Sequence, residues 1–178
     1  MPRYIALLRA INLGATRRFP AADLVAATRA AGGTDVQTYL ATGNVLLTSP
    51  RRSAGAVARD LEAAYAADRG FAVPTVVLTP AQVRDVTALA ETVLAEHDGT
   101  PTQVLVTLYA EPPAAEAIEA AEAWADDDRV IVRGRAAYAL LSDLIHTSKL
   151  LRSKEFRALG EGTGRTLGVL RTLVERWA

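Results

Sequence analysis

The residues best suited to chemistry fall in two separated segments. One carries Arg9, Asn12 and Gly14, with Arg17 and Arg18 close behind, and the other carries Thr42, Gly43 and Asn44. Together they offer a guanidinium fork, amide and hydroxyl hydrogen bonds, and glycines that let backbone N–H groups approach a ligand closely. That is the chemistry of an anion cradle. Tyr39 and Asp23 are the nearest titratable side chains besides the arginines. Such a set suits stabilisation of negative charge better than proton transfer. The competing reading is structural: Asn12 and Gly14 shape a turn, Gly43 and Asn44 close a hairpin, and Arg9 pairs with a carboxylate.

Other polar groups fit a site less well. His97 and His146 are the only imidazoles and Cys is absent, so no metal site is expected. His146, among Ser142, Asp143, Thr147 and Ser148, reads as a histidine on a helix surface rather than part of a triad. Asp126, Asp127 and Asp128 form a charged turn without the ligand spacing of a divalent-cation loop. The run Gly160-Glu161-Gly162-Thr163-Gly164-Arg165 looks like a glycine-rich phosphate loop, but it follows a predicted helix rather than a strand. Lys149, Arg152, Lys154 and Arg157 recur at helical spacing and read as a solvated face. No cofactor is expected.

For the two leading segments to meet, the elements that carry them must point the same way. Arg3–Arg9 reads as a strand, and Pro20 opens a helix that ends at Gly32-Gly33. Val36–Leu40 and Val45–Thr48 are strands around the hairpin signal Ala41-Thr42-Gly43-Asn44. Ser53 caps a helix that stops near Gly70, and Val73–Leu78 is a further strand. This β-α-β-β-α-β order is the split βαβ pattern of ferredoxin-like folds. There the first and second strands run parallel, with the third antiparallel between them. The exit of the first strand and the hairpin between the second and third then share one end of the sheet.

The pattern then restarts. Thr79 caps a helix to about Ala95, Gln103–Tyr109 is a strand, and Pro112-Pro113 opens a helix holding Ile118, Ala121 and Trp124. Val130–Arg133 and Ala136–Leu141 flank a hairpin at Arg133-Gly134-Arg135. One helix from about Asp143 to Leu159 and another over Leu167–Trp177 close the chain, the latter where the first pass ended in a strand. The expected fold class is α+β: two tandem ferredoxin-like units, 1–79 and 80–178, related by duplication, the second with extra helices. Strand one is apolar on both sides, with Tyr4, Ala6 and Leu8 on one and Ile5 and Leu7 on the other. Its second face should therefore be covered, by the other half or, failing that, by a second subunit in a homodimer.

Composition narrows the function classes. Twenty basic and twenty acidic residues balance, which argues against wholesale nucleic-acid affinity. The distribution is uneven: residues 1–84 carry ten Arg against five acids, residues 85–128 eleven acids and no base, and residues 129–178 ten bases against four acids. No apolar run approaches the length of a bilayer span and no signal peptide is evident, so a cytoplasmic location without membrane contact is the expectation.

Two motifs carry a family resemblance. Leu7-Leu8-Arg9-Ala10-Ile11-Asn12-Leu13-Gly14, followed by Phe19-Pro20 and Asp23-Leu24, resembles the opening of the bacterial domain-of-unknown-function family 1697. Tyr39-Leu40-Ala41-Thr42-Gly43-Asn44-Val45 is similar to that family's second hallmark, a tyrosine before Ser/Thr-Gly-Asn and an apolar strand. The resemblance implies a duplicated ferredoxin-like architecture and no established reaction. Ala10 stands where the family usually has Gly. Thr163-Gly164-Arg165-Thr166-Leu167 keeps the Thr and Arg of a C-terminal Thr-x-Arg-Asn-Trp motif but lacks its Asn and Trp.

The functional expectation is binding of a small anionic or nucleotide-like ligand by Arg9, Asn12, Gly14, Thr42, Gly43 and Asn44, with Tyr39 and Arg165 as accessory residues. The alternatives are a nucleic-acid-binding protein and an enzyme whose reaction the sequence does not identify. Ferredoxin-like RNA binders usually present aromatics on the open sheet face for base stacking. Here those positions are mostly aliphatic, which disfavours that alternative.

Overall fold

The computed structural model describes residues 1–178. The chain divides into two units, Met1–Val83 with Trp177 and Ala178, and Arg84–Arg176. It is an α+β protein with two four-stranded antiparallel sheets and seven helices. No helix is long and apolar enough to cross a membrane.

In the first unit, β1 (Arg3–Leu8), β2 (Thr34–Tyr39), β3 (Asn44–Thr48) and β4 (Thr75–Leu78) lie in the order β2-β3-β1-β4. All three neighbouring pairs are antiparallel. Helices α1 (Ala21–Ala30) and α2 (Ala54–Arg69) follow β1 and β3 in the chain. α2 has the caps that the sequence announces: Ser53 accepts from the Ala56 amide, and Gly70 ends the helix in the left-handed region at φ 72°.

Strand alternation decides what each face holds. Tyr4, Ala6, Leu8, Val45, Leu47 and Val77 pack with Leu24, Val57, Leu61 and Tyr65 of the helices. The Tyr65 hydroxyl shares a buried 2.8 Å hydrogen bond with Thr28, and its ring meets Phe19 edge-on at 5.2 Å. Burial lifts the Tyr65 pKa to about 12, against the smaller opposing effect of the Thr28 hydrogen bond. The opposite face, carrying Ile5, Leu7, Leu46, Val76 and Leu78, is also shut off from solvent. The sheet of this unit is therefore apolar and buried on both sides.

The second unit contains β5 (Gln103–Tyr109), β6 (Arg129–Arg133), β7 (Ala136–Leu141) and β8 (Gly162–Thr166), in the order β6-β7-β5-β8. Its helices include α4 (Ala115–Glu122), α5 (Lys149–Arg152), α6 (Lys154–Ala158) and most of α7 (Leu167–Trp177). Between β4 and β5 in the chain, α3 (Pro80–Ala95) begins with a reciprocal cap: the Thr79 amide donates to Gln82 Oε1 and the Gln82 amide to Thr79 Oγ1.

The structure corrects the sequence reading in three places. The glycine-rich run contains a strand that the sequence reading lacks: Gly162–Thr166 forms β8 and pairs with β5 from Tyr109↔Gly162 to Leu105↔Thr166. The second pass thus also ends in a strand, with α7 following it directly. Trp124 lies beyond the end of α4 rather than within it. The expected helix over 143–159 is two short helices, because Ser148 and Ser153 each start a new one by accepting from Leu151 N and Phe156 N.

A buried carboxylate holds residues 142–148 in turns. Asp128 Oδ1 accepts from Ser142 N at 2.9 Å and Ser142 Oγ at 2.8 Å, and Oδ2 accepts from Ser148 Oγ at 2.6 Å. Burial raises the Asp128 pKa, but the hydrogen bonds from Ser148 and Ser142 outweigh it and hold the value below the ordinary carboxylate range. The folded value lies below the unfolded one, so this contribution is complete above about pH 4 and is lost as pH falls through the folded pKa. Asp128→Asn is expected to cost about 2 kcal/mol at neutral pH. In urea titrations the gap between Asp128→Asn and the unsubstituted protein should close as the pH is taken below about 4.

Candidate functional site

The two segments carrying the candidate residues do meet in the first unit. Leu8 N donates to Gly43 O at 2.8 Å, and Asn12 Nδ2 donates to Ala41 O at 2.7 Å. Asn12 also reaches along its own loop: Oδ1 accepts from Phe19 N at 2.8 Å, and Nδ2 lies 3.3 Å from Phe19 O. One amide thus ties the β1 exit, the start of α1 and the β2–β3 turn together. It is a staple, and its donors and acceptor are spent on the fold.

The loop carries unusual backbone geometry. Ala10, Asn12, Arg17 and Leu40 all have positive φ, between 51° and 59°, and four of the five non-glycine residues in that region lie at this corner. Left-handed geometry costs an alanine roughly 1–2 kcal/mol. Ala10→Gly is accordingly expected to stabilise the protein by about 1 kcal/mol, read as a higher denaturation midpoint. An unchanged or lowered midpoint would contradict this.

Arg17 and Arg69 brace the corner and are committed to it. Arg17 donates Nε to Ala10 O and Nη2 to Ala72 O, with its guanidinium 4.5 Å above the Phe71 ring. Arg69 pairs with Asp23 at 3.1 Å and Asp68 at 2.7 Å, and lies 5.1 Å above the Phe19 ring.

Beside the staple lies an open cleft of about 490 Å³. Its walls include Asn12, Gly14, Arg18, Phe19, Pro20, Leu24, Thr38 and Leu40. Pro20 gives α1 no side-chain cap, so the first-turn amides of this helix lack a side-chain acceptor. Arg18 is exposed, and its guanidinium forms no ion pair. Asp23, the acid of that first turn, is held by Arg69.

The structure divides the sequence candidates. Asn12 and Gly14 line the cleft, Gly14 in the left-handed region at φ 58°. Arg9, Tyr39, Thr42, Gly43 and Asn44 do not line it. The physical reason is the two-residue period of a strand. Thr38 of β2 lines the cleft, and Tyr39, the next residue of the strand, alternates with it; Leu40 reaches the cleft from the turn that follows. Asn44 is fully buried beside Tyr39, donating to Tyr39 O at 2.7 Å and to Thr42 Oγ1 at 3.3 Å. Gly43, at φ 81°, sits where a Cβ would fall 2.8 Å from Ile11 Cδ1 and Leu8 Cβ. Arg9 is half-buried at the β1 exit, with its amide on Pro74 O.

Arg165 belongs to the second unit. It is buried on β8, donating to Thr163 Oγ1 at 2.9 Å and Gly164 O at 2.8 Å, and burial lowers its pKa to about 10. Arg18 and the open start of α1 are the cleft features the sequence reading passed over as a named pair. The signal was present, since Arg18-Phe19-Pro20 puts a cation just ahead of a proline-initiated helix.

No three His, Cys, Asp or Glu side chains group to hold a metal ion. The Asp126, Asp127 and Asp128 turn encloses a small pocket of about 140 Å³, but Asp128 is satisfied by serines. The face of the first sheet that could offer stacked bases a platform is aliphatic and buried.

Comparison with known proteins places the chain in a family. The family model described as protein of unknown function DUF1697 matches residues 1–138, and the chain belongs to that family. Among solved structures it is similar to a conserved bacterial protein, SP0830 from Streptococcus pneumoniae, with a TM-score of 0.72 and 19% identity over 98% of this chain and 97% of that one. That likeness establishes a shared fold. Comparison with curated proteins yields no match.

Proposed function

We propose that this member of a family without an assigned reaction is a binding protein for a small anionic ligand, held in the cleft between the 9–19 loop and the β2–β3 turn. The observation that carries the reading is the pairing of an unengaged guanidinium, Arg18, with the uncapped start of α1 on the walls of one cleft. The first-turn amides and the helix dipole favour negative charge at that end. Asn12 holds the loop in place and Gly14 supplies an amide without a side chain in the way. The earlier candidates Arg9, Thr42, Gly43 and Asn44 serve this site by shaping the junction behind it.

Amide-resolved NMR titration with acetate, phenyl phosphate and AMP tests the reading. The amides of Gly14, Ala21 and Ala22 should shift with at least one of these anions. Arg18→Ala should weaken that affinity about tenfold, the loss of one charge-assisted contact. Unmoved amides with all three, or full affinity in Arg18→Ala, would overturn it.

The same reasoning extends to architecture. The matching orders β2-β3-β1-β4 and β6-β7-β5-β8, each with its first and second strands parallel around the third, support two ferredoxin-like units that arose by duplication.

A further inference from the structure

We infer that the ligand of this cleft is an amphipathic monoanion: a single carboxylate carried on an apolar aryl or acyl body. The inference rests on the anion-binding reading above and narrows it to a chemical class.

Charge sets the first limit. Of the cations at the corner, Arg17 is occupied by Ala10 O, Ala72 O and the Phe71 ring, and Arg69 by Asp23 and Asp68. Only Arg18 remains on the cleft wall, supplemented by a helix end worth roughly half an elementary charge. One to one and a half positive charges match one carboxylate. A di- or triphosphate would bring more negative charge than this wall can balance.

Size and polarity set the second. A cleft of about 490 Å³ falls within the range of pockets that enclose organic ligands, and far exceeds what a bare inorganic anion fills. Away from Arg18 and the polar Asn12 and Thr38, its lining includes Phe19, Leu24 and Leu40. These would meet an apolar body.

Two leucines mark the rim. Leu13 is 56% exposed and Leu40 50% exposed, the largest exposures of any Leu in the chain. Leu13 stands between the wall residues Asn12 and Gly14, and Leu40 is itself a wall residue. Core packing accounts for neither. Leu40 adopts φ 59°, a region that a bulky side chain enters only when its surroundings hold it there. Strain of this kind, kept at an open apolar rim beside a cation, is the pattern of a ligand clamp.

A matched series read by the Gly14, Ala21 and Ala22 amides tests this. Phenylacetate and hexanoate should each bind at least tenfold more tightly than acetate and inorganic phosphate. Phenylacetamide, neutral and of the same shape, should bind at least tenfold more weakly than phenylacetate. Leu40→Asn keeps a residue that tolerates positive φ and should remove the preference for phenylacetate over acetate. Leu13→Ser is the second variant and should narrow the same preference.

Phosphate or acetate binding as tightly as phenylacetate would overturn the inference and leave the anion-binding reading standing. Phenylacetamide matching phenylacetate would overturn both, as would a series that moves none of the three amides. Concentration-dependent broadening of the Leu13 and Leu40 amides without ligand would assign the rim to self-association and overturn the inference.

Discussion

Gly162→Ala is expected to destabilise the protein by about 4 kcal/mol, lowering the thermal midpoint by roughly 10 °C or more for a chain of this size. A Cβ at position 162 would stand 2.5 Å from Thr107 Cγ2, 2.9 Å from Leu108 O and 2.9 Å from Tyr109 Cε1. Two of these three neighbours cannot yield cheaply. Leu108 O belongs to β5, which is paired with β7 on its other side, and Tyr109 is a buried core residue. Relief requires β8 to separate from β5 where Tyr109 faces Gly162. Chemical denaturation gives the number directly, and a loss under 1 kcal/mol would show that β8 can shift without cost.

The second large effect is at the junction behind the cleft. Gly43→Ala meets two separate penalties. The φ of 81° disfavours any L side chain, and the new Cβ falls 2.8 Å from both Ile11 Cδ1 and Leu8 Cβ. Left-handed strain of roughly 1–2 kcal/mol and overpacking of similar size sum to about 3 kcal/mol. The Leu8 N to Gly43 O bond ties this glycine to the β1 exit, so relief of the clash pulls the turn away from the 9–19 loop. Besides lost stability, the Asn12 side-chain amide should show faster hydrogen exchange as its 2.7 Å bond to Ala41 O lengthens. Slow exchange together with an unchanged denaturation midpoint would contradict this account.

Much of the chain announces its local structure. Ser53 and Gly70 cap α2 as their types require, Thr79 and Gln82 form a reciprocal cap, and apolar residues on both sides of β1 correspond to two buried faces. These features are legible because caps, turns and alternation act over a few residues. The meeting of the 9–19 loop with the 40–43 turn was legible too, because strand order fixes which ends coincide.

What the sequence determined by itself, then, is most of the elements of the first unit, the caps of α2 and α3, and the corner where two distant loops join. Tertiary structure alone decided the rest. β8 has two glycines among its five residues and weak intrinsic strand preference, yet it is a strand because β5 supplies its hydrogen bonds and needs the space that Gly162 leaves. Which arginine faces the cleft also depended on packing. Arg9, Arg17, Arg18 and Arg69 are chemically alike, and only the positions of Ala72, Phe71, Asp23 and Asp68 show which are engaged by neighbours across the fold. Residue type sets what a side chain can do; neighbours remote in the chain set whether it is still available to do it.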